Sequence, residues 1–272
     1  MKNLGKSLGV LVYFIVAQFI GTIALFLFKI KTDSIWVDKL YDSITTNGVV
    51  SKEYFQLVGE LLIPSLIIAD CLIIIPFLIN SYRTGNQLMR SMNPSLAVKL
   101  FILGCALNTV VSLVVESLPA SATTNEYSSL MNLVVADNVF MSFLTNAVLA
   151  ALVEEILFRK MIIGFYAEKS ENVAIVMSAL LFGLMHMNPI QSTYAFILGL
   201  IMGYIYIKTE YNLLSTFIVH VTINGTSILY EYLPSQLQSV FLYLGALSVI
   251  ATVTYLAFMF LRRDYVKEEM IG

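Results

Sequence analysis

The sequence predicts an all-α, polytopic integral membrane protein of about eight transmembrane helices. Three observations predict it. Hydrophobic residues make up 58% of the chain and charged residues 12%, a balance that only long apolar segments produce. Those segments approach or exceed the roughly 20 residues a helix needs to cross a bilayer. The lysines and arginines fall on alternate connections, as the positive-inside bias requires. A net charge of −2 with no basic stripe leaves no electrostatic footprint for a nucleic-acid partner.

The first apolar run, residues 8–28, follows Lys2 and Lys6. It is too long for the core of a signal peptide and ends without a small-x-small cleavage site, so an uncleaved first span is expected. Runs at 55–80, 96–118 and 138–158 follow, with Pro64 and Pro76 predicting an irregular helix in the second. Four tighter runs close the chain, at 172–188, 190–207, 212–230 and 237–261. Asn188-Pro189, Lys208-Thr-Glu-Tyr211 and Glu231-Tyr-Leu-Pro234 separate them.

In this arrangement Lys2, Lys6, Arg83, Arg90, Lys99, Arg159, Lys160, Lys169, Lys208, Arg262, Arg263 and Lys267 share one side. Lys29, Lys31, Lys39 and Lys52 fall on the other, accompanied by Asp33, Asp38, Asp42 and Glu53. Both termini are therefore expected in the cytoplasm, and the Ser/Thr/Asn-rich connection 119–137 outside. No repeat or Pro/Gly linker divides the chain, which reads as one domain, residues 1–272, in the cell membrane. Arg262 and Arg263 are expected to anchor the last helix at the headgroups. Cys71 and Cys105 lie inside apolar runs and read as small core residues.

The chain is organised around Ala-Leu-Val-Glu-Glu-Ile-Leu-Phe-Arg-Lys, residues 151–160. An ionised carboxylate away from water costs several kcal/mol unless paired or used, so Glu154 and Glu155 mark a functional site. Glu155 and Arg159 stand four apart on one helix face, where an ion pair forms. Glu154 is expected to point about 100° away and remain free for chemistry.

The chain's two histidines, His186 and His220, both fall in predicted spans. Glu154 and His186 are nearly equidistant from the turn at 168–171, so a hairpin brings them to similar depth. Asn224 follows His220 by four residues and shares its face. Ala195, Gly199 and Gly203 form a small-residue ridge expected to draw the fifth and seventh spans inward. Phe182 reads as packing or site wall. Glu60, Asp70 and Asn108 are polar residues of the second and third runs that this site does not explain; Asp70 is expected to make an interhelical hydrogen bond with an uncharged or paired carboxyl, the alternative being a proton or ion pathway.

These residues resemble the CPBP family, the CAAX-protease and bacteriocin-processing (Abi) intramembrane proteases that include the type II CAAX prenyl endopeptidases. Glu154-Glu155-x-x-x-Arg159, Phe182-x-x-x-His186 and His220-x-x-x-Asn224 carry the resemblance, over residues 138–230. It implies an endopeptidase acting on a membrane-associated peptide or protein in the lipid bilayer. Glu154 and His186 would activate water, and His220 and Asn224 would stabilise the oxyanion. Glu155 and Arg159 would support the site. The family is described both as metal-dependent and as glutamate-dependent; a divalent metal such as zinc would draw on Glu154, His186 and His220. No His-Glu-x-x-His is present, so its ligands would come from different helices.

Two readings compete with hydrolysis. One is a non-proteolytic membrane partner, or a bacteriocin-immunity protein, using the same fold. The other is an ion- or proton-coupled transporter using Asp70 and Glu154, disfavoured because no duplicated half with paired broken helices is evident.

Overall fold

The computed structural model of the chain describes residues 2–45, 52–84, 89–117 and 139–271. They form nine helices and, among the described residues, no strand. The first four are α1 (Lys2–Thr32), α2 (Ser34–Thr45), α3 (Lys52–Thr84) and α4 (Pro94–Glu116). Then come α5 (Val139–Tyr166), α6 (Glu171–Met185), α7 (Pro189–Lys208), α8 (Leu213–Tyr232) and α9 (Ser235–Ile271). By length and composition α1, α3, α4, α5, α7, α8 and α9 suffice to cross a membrane. The chain is an all-α polytopic membrane protein.

The eighth apolar segment is α6, which at 15 residues is shorter than a span. It stops before the predicted end at 188 for local reasons. The His186 amide closes onto the Gly183 carbonyl, at 3.2 Å, and Met187 then turns left-handed, at φ 53°. Asn188 caps α7, its Oδ1 accepting the Gln191 amide at 3.0 Å, and Pro189 opens that helix with its φ already set. His186 thus stands at a helix end rather than inside a span.

The connection at 29–53 also differs from a plain loop, because it contains α2. Asp33 Oδ1 accepts the Trp36 amide at 2.9 Å and Asp33 Oδ2 meets Lys29 Nζ at 3.0 Å. These contacts and the burial of Trp36 beside Leu57 and Leu61 hold α2 against the α1–α3 pair. The predicted outer connection 119–137 lies outside the described residues, as do the side chains of the Arg262–Arg263 tail.

Helix α3 runs unbroken through Pro64 and Pro76, where an irregular helix was the expectation. Pro76 has no amide to give to the Leu72 carbonyl one turn back. Tyr13 of α1 supplies the donor instead, its hydroxyl 2.6 Å from Leu72 O. The defect in one helix thereby becomes a tie to the next.

The main core sits between α5, α6, α7 and α8, around Phe158, Ile162, Leu198, Met202 and Tyr206, with α1, α3 and α4 against it. The ridge on α7 meets α6: a Cβ at Gly199 would stand 2.9 Å from Ala179 Cα. On α8 a comparable close approach comes from α4, where a Cβ at Gly104 would stand 2.7 Å from Thr222 Cβ. Helix α9 buries none of its apolar window and is positioned to face lipid. Cys71 and Cys105 are both free and half-buried.

Candidate active site

The site begins in α5, which is not uniformly α-helical. Residues Phe143–Leu149 and Glu155–Ile163 are π-helical, flanking a short α-helical stretch, Ala150–Glu154. Wide turns of this kind are rare and occur frequently at functional sites. Here one begins at the second glutamate.

Glu155 and Arg159 are both fully buried, with Arg159 Nε 3.2 Å from Glu155 Oε2. The angle between them is too poor for a hydrogen bond, so the pair is held by charge rather than by alignment. Arg159 finds other support: Nη1 donates to Ser178 Oγ at 3.2 Å, and Ser178 Oγ donates to the Phe158 carbonyl at 2.8 Å. Its guanidinium carbon lies 4.9 Å from the centre of the Phe182 ring.

Helix α8 carries His220 into this cluster. His220 Nδ1 lies 2.8 Å from Glu155 Oε1, and Nε2 lies 3.4 Å from Glu154 Oε2. Glu154 is therefore not free, as its expected angular offset implied. One imidazole has a nitrogen on each edge and reaches carboxylates from consecutive residues of the same helix. Each ring nitrogen thus has a carboxylate oxygen beside it.

His186 approaches from the end of α6. Its ring lies 5.2 Å from Phe182, edge to face, and Phe182 makes the same kind of contact with Phe158 at 5.1 Å and His220 at 5.8 Å. Phe182 thus holds two imidazoles and a guanidinium around one ring, a larger part than a wall residue has. Asn224, one turn after His220, donates from Nδ2 to the Asn146 carbonyl at 3.1 Å. Of the six expected residues, Arg159, His186 and His220 meet around Phe182, Glu154 and Glu155 join them through His220, and Asn224 flanks them beside α5.

Beside Glu154 lies a cavity of about 120 Å³ between α1, α3 and α5. Gln18, Asp70, Thr145 and Asn146 line it together with Glu154. Among the described residues none makes the expected interhelical bond to Asp70; Asn108 accepts from Ser227 at 2.7 Å and Glu60 stands 3.8 Å from Lys29. Ser178 and Asn146 were not singled out by the motifs. Their signal is helical spacing: Ser178 precedes Phe182 by four residues, and Asn146 precedes Glu154 by eight.

The donor set does not fit zinc as arranged. Both His220 nitrogens are directed at carboxylates, and among the described residues no group of three His, Cys, Asp or Glu side chains is disposed to hold a metal. The chemistry that follows is confined to the side chains.

The fold and this carboxylate–imidazole centre define a class: a helical membrane protein with an ionisable site built into its core. Residues 136–226 match the family described as type II CAAX prenyl endopeptidase Rce1-like. Over those residues the chain is similar to that family, which agrees with its resemblance to the CPBP intramembrane proteases and supports a CAAX-type intramembrane endopeptidase. No curated protein and no solved structure matches the chain.

Proposed function

We propose that the protein hydrolyses a peptide bond in a membrane-associated peptide or protein, using the centre between α5, α6 and α8. Bracketing of His220 by Glu154 and Glu155, at 3.4 and 2.8 Å, carries the reading. A structural ion pair would need only Glu155 and Arg159. A second carboxylate on the same imidazole is costly to bury and is explained by proton transfer.

In this mechanism Glu154, with His186, takes a proton from water as the oxygen attacks the scissile carbonyl carbon. The carbonyl π electrons move to oxygen, and the oxyanion accepts hydrogen bonds from His220 Nε2–H and the Asn224 amide. Collapse breaks the C–N bond, and the proton held by Glu154 passes to the leaving nitrogen. Glu155 orients His220 through Nδ1, and Arg159 balances the charge of Glu155, as a buried acid does for a catalytic histidine. The donor arrangement supports the glutamate-dependent variant. We also propose that residues 1–272 act as one membrane domain with both termini in the cytoplasm, because that placement gathers there all the lysines and arginines except Lys29, Lys31, Lys39 and Lys52.

The test compares membrane-peptide fragments from cells producing wild-type, Glu154→Gln or His186→Ala protein. Both variants are expected to insert at normal levels and abolish cleavage. A metal chelator is expected to leave wild-type cleavage unchanged. Full biological activity in both variants would establish the non-proteolytic reading instead, and chelator-sensitive cleavage restored by zinc would establish the metal variant.

A further inference from the structure

The cavity next to Glu154 contains a carboxylate that the proposed hydrolysis does not use. Asp70 is 4% exposed, and among the described residues no hydrogen bond or ion pair reaches its side chain. It lines the cavity from α3 while Glu154 lines it from α5. The packing of α1 on α3 helps fix that placement: a Cβ on Gly21 would stand 2.5 Å from the Ser65 carbonyl and 3.2 Å from the Ala69 amide. At this contact a side chain on Gly21 would force the two helices apart.

Burying an unpaired carboxylate is unfavourable, and placing a second one across the same small space adds like-charge repulsion. Among the described residues the lining has no lysine, arginine or histidine to relieve it. Its other parts are amides and a hydroxyl from Gln18, Asn146 and Thr145, with apolar walls from Phe14 and Leu66. Apolar walls leading to two acids complement an aliphatic stem ending in a cation. At about 120 Å³ the space exceeds the ~30 Å³ share of a single water several-fold and accommodates one such side chain.

We infer that this cavity is a substrate subsite that takes a basic side chain near the scissile bond, and that Asp70 is its specificity-determining residue. The inference rests on the hydrolytic reading for the word substrate. The cation site itself stands on Asp70 and the cavity.

The test uses full-length protein in detergent and needs no turnover. Dicyclohexylcarbodiimide, an apolar reagent for buried carboxyls, is applied and adducts at Asp70 and Glu154 are followed by mass spectrometry. n-Butylguanidinium serves as the side-chain probe, and n-butylurea as its uncharged counterpart. At about ten times its dissociation constant the guanidinium is expected to slow labelling of Asp70 about tenfold, while the urea has no effect. In Asp70→Asn the protection of Glu154 is expected to disappear. Equal protection by both probes, protection by neither, or no Asp70 adduct in the free protein would each overturn the inference. If charge-selective protection holds while Glu154→Gln retains full cleavage of membrane peptides, the proposed mechanism falls and the cation site stands.

Discussion

Arg159 is the largest fully buried side chain among the described residues, and its value lies in what it neutralises. Removing it leaves Glu155 charged and dry, with His220 and Thr216 but no guanidinium beside it. Breaking a buried pair in this way costs about 3–5 kcal/mol. Arg159→Leu is therefore expected to lower the thermal midpoint in detergent sharply, and Glu155→Gln/Arg159→Leu to recover much of the loss. A double variant no more stable than Arg159→Leu would show that the guanidinium acts through Ser178 and Phe182 rather than through charge. This pair is readable from sequence, because a four-residue spacing puts Glu155 and Arg159 on one face. The bridge through His220 is not, because it depends on how α8 is rotated against α5. Asp70 is legible as an oddity within an apolar run; that it faces Glu154 across a cavity appears only once α1, α3 and α5 are packed.

At the scale of elements, the apolar runs locate the helices, but their internal geometry comes from elsewhere. The two π-helical stretches of α5 leave no periodic mark strong enough to detect in an already apolar run. The end of α6 at Met185 depends on a left-handed Met187, and α2 forms because Asp33 caps a segment that composition alone assigns to a loop. The α4–α8 contact tests how close packing positions the site. At Gly104 a side chain would meet Thr222 Cβ at 2.7 Å and the Val219 carbonyl at 3.0 Å, both on the helix that carries His220. Gly104→Val is expected to destabilise by about 1–3 kcal/mol and to reduce cleavage. Gly9→Ala, whose Cβ meets nothing within 4 Å, should do neither. Equal behaviour of the two variants in thermal unfolding would remove this contact from the account of the site.

The α2 cap makes a second prediction at this scale. The Trp36 amide, and then Lys29, hold the Asp33 carboxyl below its ordinary value of 3.8. A group whose value is depressed on folding stabilises above the unfolded value and loses that contribution as pH falls through the folded one. Trp36 is the chain's single tryptophan and is 3% exposed beside Phe26. Its fluorescence in detergent is expected to stay constant from neutral pH down to the ordinary carboxylate value and to shift below it. Asp33→Asn should flatten that transition, and an unaltered transition in the variant would assign it to another group.

Over the whole molecule, parity follows from how α6 and α7 pair. Among the described residues seven helices have spanning length, and α6, at about 1.5 Å per residue, extends only about 22 Å against a hydrocarbon core of about 30 Å. Helix α7 runs back along α6: a Cβ on Gly183 would meet the Ser192 carbonyl at 2.7 Å, one on Gly203 would meet Ile175 at 3.2 Å, and the Tyr211 hydroxyl donates to Glu171 at 3.4 Å. Lys208 therefore returns to the side of Lys169 whether or not α6 covers the full core. With α1, α3, α4, α5, α8 and α9 each crossing once, both ends are expected on that same side, and its basic residues make it the cytoplasmic one. The short α6 also serves the proposed chemistry: its end at His186 leaves non-helical backbone at membrane depth, tolerated where protein or water surrounds it, and a hydrolytic centre needs such a route for water. Reporter domains fused at each end of the full chain are expected to show both in the cytoplasm. Reporters on opposite sides would mean that one of the other six long helices does not cross, and would overturn the expected orientation.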